Sequence, residues 1–258
     1  MLALLAPSAG TLEAMNHTSS SSTPLLRVRN AHYAVNHPRE GSTVHVEVFN
    51  NLSLDVFPGE IIDITGPSGS GKSSFLETIA QLRPHGTATL ELGGVAASTM
   101  SPQMWRRQVA YVHQKAILTG NTVREALLMP WSLQIAHHNG ATRPTDQQLR
   151  EGLDALLLPD VELERETASL SGGQLARVSL LRTLLTRPRV LLADEIDAAL
   201  DDESAHAEGE YVARLAADFG LSALRVRHRA PDGFASRTLL LDSTGLHVMP
   251  VHDSTSEE

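Results

Sequence analysis

The chain has 258 residues, 41% hydrophobic and 20% charged, the proportions of an ordinary globular protein. A formal net charge of -9 argues against a nucleic-acid partner, whose footprint is a basic face, and the absence of cysteine removes disulfides and thiol catalysis. No stretch approaches the roughly 18–20 apolar residues of a membrane span, and "MLALLAPSAG" has no basic residue ahead of its apolar part, against a secretory leader.

Residues 1–24, with "NHTSSSSTP", read as a disordered polar tail in which Met1 and Met15 are both open as starts. "LLRVRN" and "VHVEVFNNLSLDVF" alternate apolar and polar residues, as antiparallel strands do. "IIDIT" (Ile61–Thr65) is a short apolar strand running into a glycine-rich turn, and a helix is predicted from about Gly71 to Leu82. "TATLEL" and "QVAYV" are further strands. From about Lys115 to Ser169 the strand signals stop. Thr122 with Glu125, and Thr145 with Gln148, fit the capping box that begins a helix. This stretch therefore reads as a helical insertion. "VLLAD" (Val190–Asp194) is a buried strand, and "ALRVRH" and "RTLLL" are later strands of the same sheet. The predicted organisation is an α/β domain over residues 25–246 with a helical subdomain at about 115–170, followed by an acidic tail, 247–258, ending "HDSTSEE".

The chemistry concentrates in "GPSGSGKS": Gly66, Pro67, Ser68, Gly69, Ser70, Gly71, Lys72 and Ser73 match the P-loop pattern, between a strand and a helix. Bare backbone lets consecutive N–H groups turn inward on an anion, and the helix start adds its partial positive charge. Lys72 can reach terminal phosphates and the Ser73 hydroxyl can ligate Mg²⁺. "VLLADE" ends a buried strand with Asp194 and Glu195. Ligands of open α/β sheets collect at such carboxyl ends, which suits Asp194 to the surroundings of Mg²⁺ beside Ser73. Successive strand residues face opposite ways, so Glu195 is aimed elsewhere, where it can polarise a water attacking a γ-phosphate.

In "LSGGQ", Ser171 and Gln174 satisfy a capping box, but capping does not call for Gly172 and Gly173. Glycine is about 1 kcal/mol worse than alanine in a helix interior. Two of them at a helix start make a second anion-accepting surface.

This pattern, about a hundred residues after the P-loop and about twenty before "VLLADE", resembles the ATP-binding subunits of ABC transporters, nearly throughout the chain between its tails. The resemblance implies a P-loop ATPase core of the RecA-like kind, with an antiparallel β-subdomain and an inserted helical subdomain. It implies ATP and Mg²⁺ as ligands, a homodimer, and a separate integral membrane permease holding the protein on the inner face of the cell membrane. On that likeness Ser171, Gly172 and Gly173 touch the γ-phosphate of ATP held by a second copy, beside Gln174. Gln114 in "YVHQ" senses Mg²⁺ and the permease, Asp201 in "AALD" lies at the dimer crossing, His228 contacts the γ-phosphate, and Tyr33 stacks on adenine. "GKSS" replaces the usual Gly-Lys-Ser-Thr, with Ser74 keeping a hydroxyl, and the segment after Tyr33 is longer than usual.

"WRRQVAYVHQKAILTGNTVREALLMPW" and "LLADEIDAALDDES" are similar to FetA-like (YbbL-like) subunits linked to iron export, whose permease is FetB-like. Ile117, Leu118, Trp131 and Leu133 form the expected permease seat. The histidines, including adjacent His137 and His138 and loosely spaced His32, His37 and His45, lack a compact zinc spacing and read as solvated loop residues. A nucleotide-gated clamp that binds without turning over is the alternative to a transport ATPase.

Overall fold

Two sheets follow from two kinds of strand. In the computed structural model, which describes residues 23–39, 42–133 and 142–250, the alternating segments pair as a long antiparallel hairpin, β1 (Leu26–Arg39) and β2 (Ser42–Val56). The apolar β3 (Ile61–Thr65) belongs elsewhere. β1 also pairs with β4 (Thr87–Leu92), which pairs with β5 (Val95–Ala96), completing an antiparallel sheet in the order β2-β1-β4-β5.

The apolar runs make the other sheet. β3 lies parallel to β8 (Ser222–Val226) and β9 (Arg237–Asp242). β7 (Val190–Asp194) joins β8 to β6 (Val109–Val112), and β10 (Gly245–Val248) closes one edge antiparallel to β9. The order is β10-β9-β3-β8-β7-β6.

Strand alternation decides what each face buries. Ile62, Ile64, Val190, Leu192, Leu224 and Val226 join one core with Phe75, Leu76 and Ile79 of α1 (Lys72–Ile79) and Trp105 of α2 (Pro102–Gln108). The neighbours Ile61, Leu191, Ala193 and Ala223 join a second core. Its helices are α3 (Val123–Leu128), α4 (Asp146–Ala155), α5 (Gly172–Leu185) and α6 (Asp202–Phe219). Phe75 and Trp105 are fully buried, and each aromatic contributes about 1.5–3 kcal/mol by leaving water. Trp105 Nε1 also donates to the Ile79 carbonyl at 2.8 Å, tying α2 to the end of α1.

Among the described residues between β6 and β7 the regular elements are helices, joined by turns and an isolated Thr122–Glu166 bridge. Thr145 and Gln148 form the complete capping box. At α3 the Thr122 hydroxyl accepts from the Glu125 N–H, but the Glu125 carboxylate accepts from the Asn121 N–H, one residue earlier than a box requires. β10 reaches Val248, inside the segment that reads as a tail. Residues 1–22, 251–258 and the pair His137 and His138 lie outside the described residues.

Candidate active site

The turn leaving β3 needs glycine for steric reasons. Gly66 has φ +142, and a Cβ there would stand 2.1 Å from the Leu241 carbonyl oxygen. Gly71 has φ +95, and its Cβ would meet Val48 Cγ1 at 2.7 Å. Within this turn Ser70 N–H donates to the Pro67 carbonyl, and Lys72 Nζ donates to the carbonyls of Gly66 and Pro67 at 2.9 and 3.0 Å. The buried Ser70 Oγ has no hydrogen-bond partner.

Among the described α-helices, α2 to α6 each start with a side-chain cap, from Ser101, Thr122, Thr145, Ser171 and Asp201 in turn. α1 has none, because Gly71 occupies its cap position. Its first-turn N–H groups have no intrahelical acceptor, and the turn itself contains no acidic residue. That is a positively polarised cradle.

Asp194 shares the strand face of Val190 and Leu192, which aims it at α1. Ser73 Oγ donates to its Oδ1 at 2.9 Å, and the Tyr111 hydroxyl donates to its Oδ2 at 2.7 Å. Burial, then the bond to Asp194, pushes the Tyr111 phenol well above its ordinary range, so it remains a donor at neutral pH. Glu195 turns away with φ +49, an uncommon conformation for a side-chain-bearing residue, at a cost of about 1–3 kcal/mol. There it gathers two partners: Gln114 Nε2 donates to its Oε2 at 2.6 Å, and His228 Nε2 lies 2.7 Å from its Oε1.

A buried ionic frame fixes the chain on either side of this triad. Arg225 and Arg227 lie two apart at the end of β8, and both point at carboxylates. Arg225 donates to Asp63 and, through both terminal nitrogens, to Asp232. Arg227 Nε donates to Asp197 at 2.9 Å, and its Nη1 lies 2.7 Å from Asp232. Asp197 follows Glu195 by two residues and Arg227 precedes His228, so one frame anchors both. Glu208 of α6 lies against it. Burial, then the Asp197 charge, pushes its carboxyl up to about 8.

A cavity of about 330 Å³ opens over the cradle. Its wall takes in Ser68, Gly69, Gly71, Lys72, Ser73 and Ser74, then Glu195 and His228 at one side, and Tyr33 and Arg83 at another. Of the sequence-predicted residues, the P-loop, Tyr33, Gln114, Asp194, Glu195 and His228 are thus gathered together. Ser171, Gly172, Gly173, Gln174 and Asp201 stand apart from that wall. Ser171 and Gln174 make a complete capping box on α5, and Asp201 caps α6 by accepting from the Ser204 N–H and hydroxyl. A Cβ at Gly173 would touch Leu200 at 3.2 Å, whereas one at Gly172 meets nothing within 4 Å. Ile117 and Leu133 are 70% and 51% exposed, while Leu118 and Trp131 pack partly against the helical core.

Sequence reasoning missed Tyr111, Arg83 and the arginine frame. Tyr111 sits inside an apolar strand and Arg83 inside a Pro-Gly turn, where neither residue type stands out. The alternation in "RVRHR" was the available signal for the frame.

The chain is similar to known proteins in sequence family and in fold. The model of the ABC transporter family matches residues 49–198. The probable iron export ATP-binding protein FetA of Escherichia coli (strain K12) is 34% identical over 206 residues, covering 80% of this chain and 85% of that protein. The lipoprotein-releasing system ATP-binding protein LolD of Koribacter versatilis (strain Ellin345) is 35% identical over 196 residues, covering 74% of this chain and 85% of its own. In fold, the chain is similar to the dimeric post-hydrolysis structure of the ATP-binding cassette MJ0796 bound to ADP and Pi, with TM-score 0.69, 22% identity, and coverage of 84% of this chain and 94% of that one. With its family model spanning more than half of the sequence and the P-loop fold in place, the chain belongs to the ABC transporter family, as an ATP-binding subunit with ATPase activity.

Proposed function

We propose that two copies of this chain close head-to-tail around two Mg·ATP and that hydrolysis reopens them, driving a separate membrane permease. The observation carrying this reading is the convergence of Ser73 with Asp194, and of Gln114 and His228 with Glu195, on one cavity above an uncapped helix start. In this reading the inward amides of Gly66 to Ser74 and the Lys72 ammonium hold the phosphates. Ser73 and Asp194 offer the hard oxygen donors that Mg²⁺ prefers, with Gln114 close by. When bound, the ion neutralises charge on the β- and γ-phosphates. Glu195 orients the attacking water and accepts its proton, and His228, held against Glu195, faces the γ-phosphate.

Gly172 supports the second copy. Its own chain leaves space where a side chain would go, so the bare backbone on α5 serves a contact beyond one subunit. Ser171 and Gly173 share that surface, Gln174 fixes its cap, and Asp201 lies at the crossing between copies. We take the ATPase module as residues 25–246, with residues 115–170 as the helical subdomain that meets the permease. No helix of the described residues is long and apolar enough to cross a membrane. Placement on the inner membrane face therefore falls to the permease. The relative named for probable iron export supports iron as the exported substrate and a FetB-like permease as the partner.

Glu195→Gln keeps the size of the side chain and removes its proton acceptor. Turnover should fall about 10²- to 10⁴-fold, the usual worth of a general base, while a dimer accumulates with Mg·ATP in size-exclusion chromatography. Unchanged turnover refutes the hydrolytic role, and a variant that stays monomeric with Mg·ATP refutes the shared site.

A further inference from the structure

We propose that Arg83 is the surface on which the nucleobase stacks, with Tyr33 serving as the platform beneath it. This rests on the nucleotide reading only in placing the triphosphate over the P-loop. The aromatic end of the same cavity is then where the base lies.

At that end little of the phenol is free. Tyr33 is only 8% exposed, its ring tilts against Phe49 at a centroid distance of 6.1 Å, and the Arg83 guanidinium carbon sits 4.6 Å from its centroid. The guanidinium is tethered over that ring. Arg83 Nη1 donates to Glu77 Oε2 at 2.9 Å, and the backbone N–H of Arg83 donates to the Glu77 carbonyl at 3.3 Å, which fixes the main chain beneath it. Its buried Nε has no hydrogen-bond partner. The turn bringing it there is tight: a Cβ at Gly86 would stand 2.5 Å from Thr78 Oγ1 and 3.2 Å from Arg83 Cβ. With the Arg83 side chain 32% exposed, the cavity presents a flat cation backed by an aromatic ring.

Such a plate engages the π-face of a base and not its hydrogen-bonding edge. It therefore accepts adenine and guanine alike, and the protein binds ATP and GTP with affinities within about tenfold of one another, since stacking is tolerant of base identity.

The test is calorimetric titration of the full chain with Mg·ATP, Mg·GTP and magnesium tripolyphosphate, which has the phosphates and no base. Arg83→Ala should weaken both nucleotides about tenfold, a typical stacking contribution, and leave tripolyphosphate unchanged. Arg83→Lys keeps the charge without the plane and should lose as much. Full rescue by lysine, or an equal loss for tripolyphosphate, assigns Arg83 a charge role and overturns the stacking. Unchanged nucleotide affinity in Arg83→Ala, with loss in Tyr33→Leu, puts the base on the phenol and overturns it as well. Failure of the unaltered protein to bind Mg·ATP, Mg·GTP and tripolyphosphate alike removes the nucleotide site and the proposal together, a result distinct from the other two.

Discussion

Replacing Asp197 by alanine tests whether the buried frame, and not the helices around it, holds the catalytic turn. Asp197 is 5% exposed, accepts from Arg227 Nε at 2.9 Å and sits 4.0 Å from Arg229 Nε. Breaking a buried pair from one side costs about 3–5 kcal/mol when the surviving charge is left alone. Arg227 is not left alone, because its Nη1 retains Asp232 at 2.7 Å and Asp63 at 3.6 Å. Arg229 is half-exposed and keeps Asp202. The loss should therefore approach that of a hydrogen bond to a charged group, about 2–3 kcal/mol. With a urea slope of about 2–3 kcal/mol/M for a domain of this size, the midpoint followed by circular dichroism should drop by about 1 M. Asp197→Asn, which keeps an acceptor for Arg227, should lose less than half of that. ATP turnover should fall in the same order, because the frame steadies the strained Glu195. A midpoint of the alanine variant within about 0.2 M of the parent, roughly 0.5 kcal/mol, would show that the frame does not support this turn.

Two further outcomes follow from neighbouring features. The Glu208 carboxyl, raised to about 8 by burial and then by Asp197, holds a proton in the folded state that the unfolded chain releases near its ordinary value. Stability from this group therefore falls as pH rises from about 4.5 toward 8, by up to about 1.4 kcal/mol per pH unit, and is constant above. Glu208→Gln should remove that slope and become the more stable protein at pH 8 in urea unfolding; parallel profiles for both proteins contradict the assignment. At the membrane side, Ile117→Asp with Leu133→Asp alters the two exposed members of the expected seat without touching Leu118 or Trp131, which pack against the core. Co-purification with the permease should be lost while the isolated ATPase keeps its rate and melting temperature, and normal co-purification rejects the seat.

What could be read from the chain, and what could not, divides along a physical line. The P-loop strand, the cradle and the carboxylates after β7 were legible because each is a local pattern: a run of apolar residues, a glycine spacing, a pair at a strand end. The opposite aims of Asp194 and Glu195 follow from a period of two and were legible for the same reason. α2 and α6 have no counterpart among the predicted elements, although Ser101-Pro102 is a helix start and Asp201 to Gly220 is a capped helix, with Gly220 left-handed at φ +68. α2 buries only Trp105, and the stripe that α6 buries begins with Ser204, Ala205, Glu208 and Gly209 before Tyr211, Val212, Leu215 and Ala216 make it apolar. Tyr111, Asp63 and Asp197 owe their roles to partners 83, 162 and 30 residues away, and beyond the arginine alternation no local pattern carries that.

The signature segment belongs to neither class. Ser171 and Gln174 are accounted for inside one subunit, by a cap whose two hydrogen bonds are both made. Gly173 is accounted for by Leu200, which leaves no comfortable room for a larger residue. Gly172 is accounted for by nothing in its own chain, and an alanine there would favour the helix. The position costs stability in isolation, so its compensation lies outside the subunit, on the surface that also carries the free amides of α5. In the head-to-tail reading proposed above, the cavity over the P-loop takes Lys72, Ser73, Glu195 and His228 from its own chain, while Ser171 and Gly172 stand apart from its wall. On the same reading, a second copy presenting α5 across that opening would supply the facing side and give Gly172 its reason.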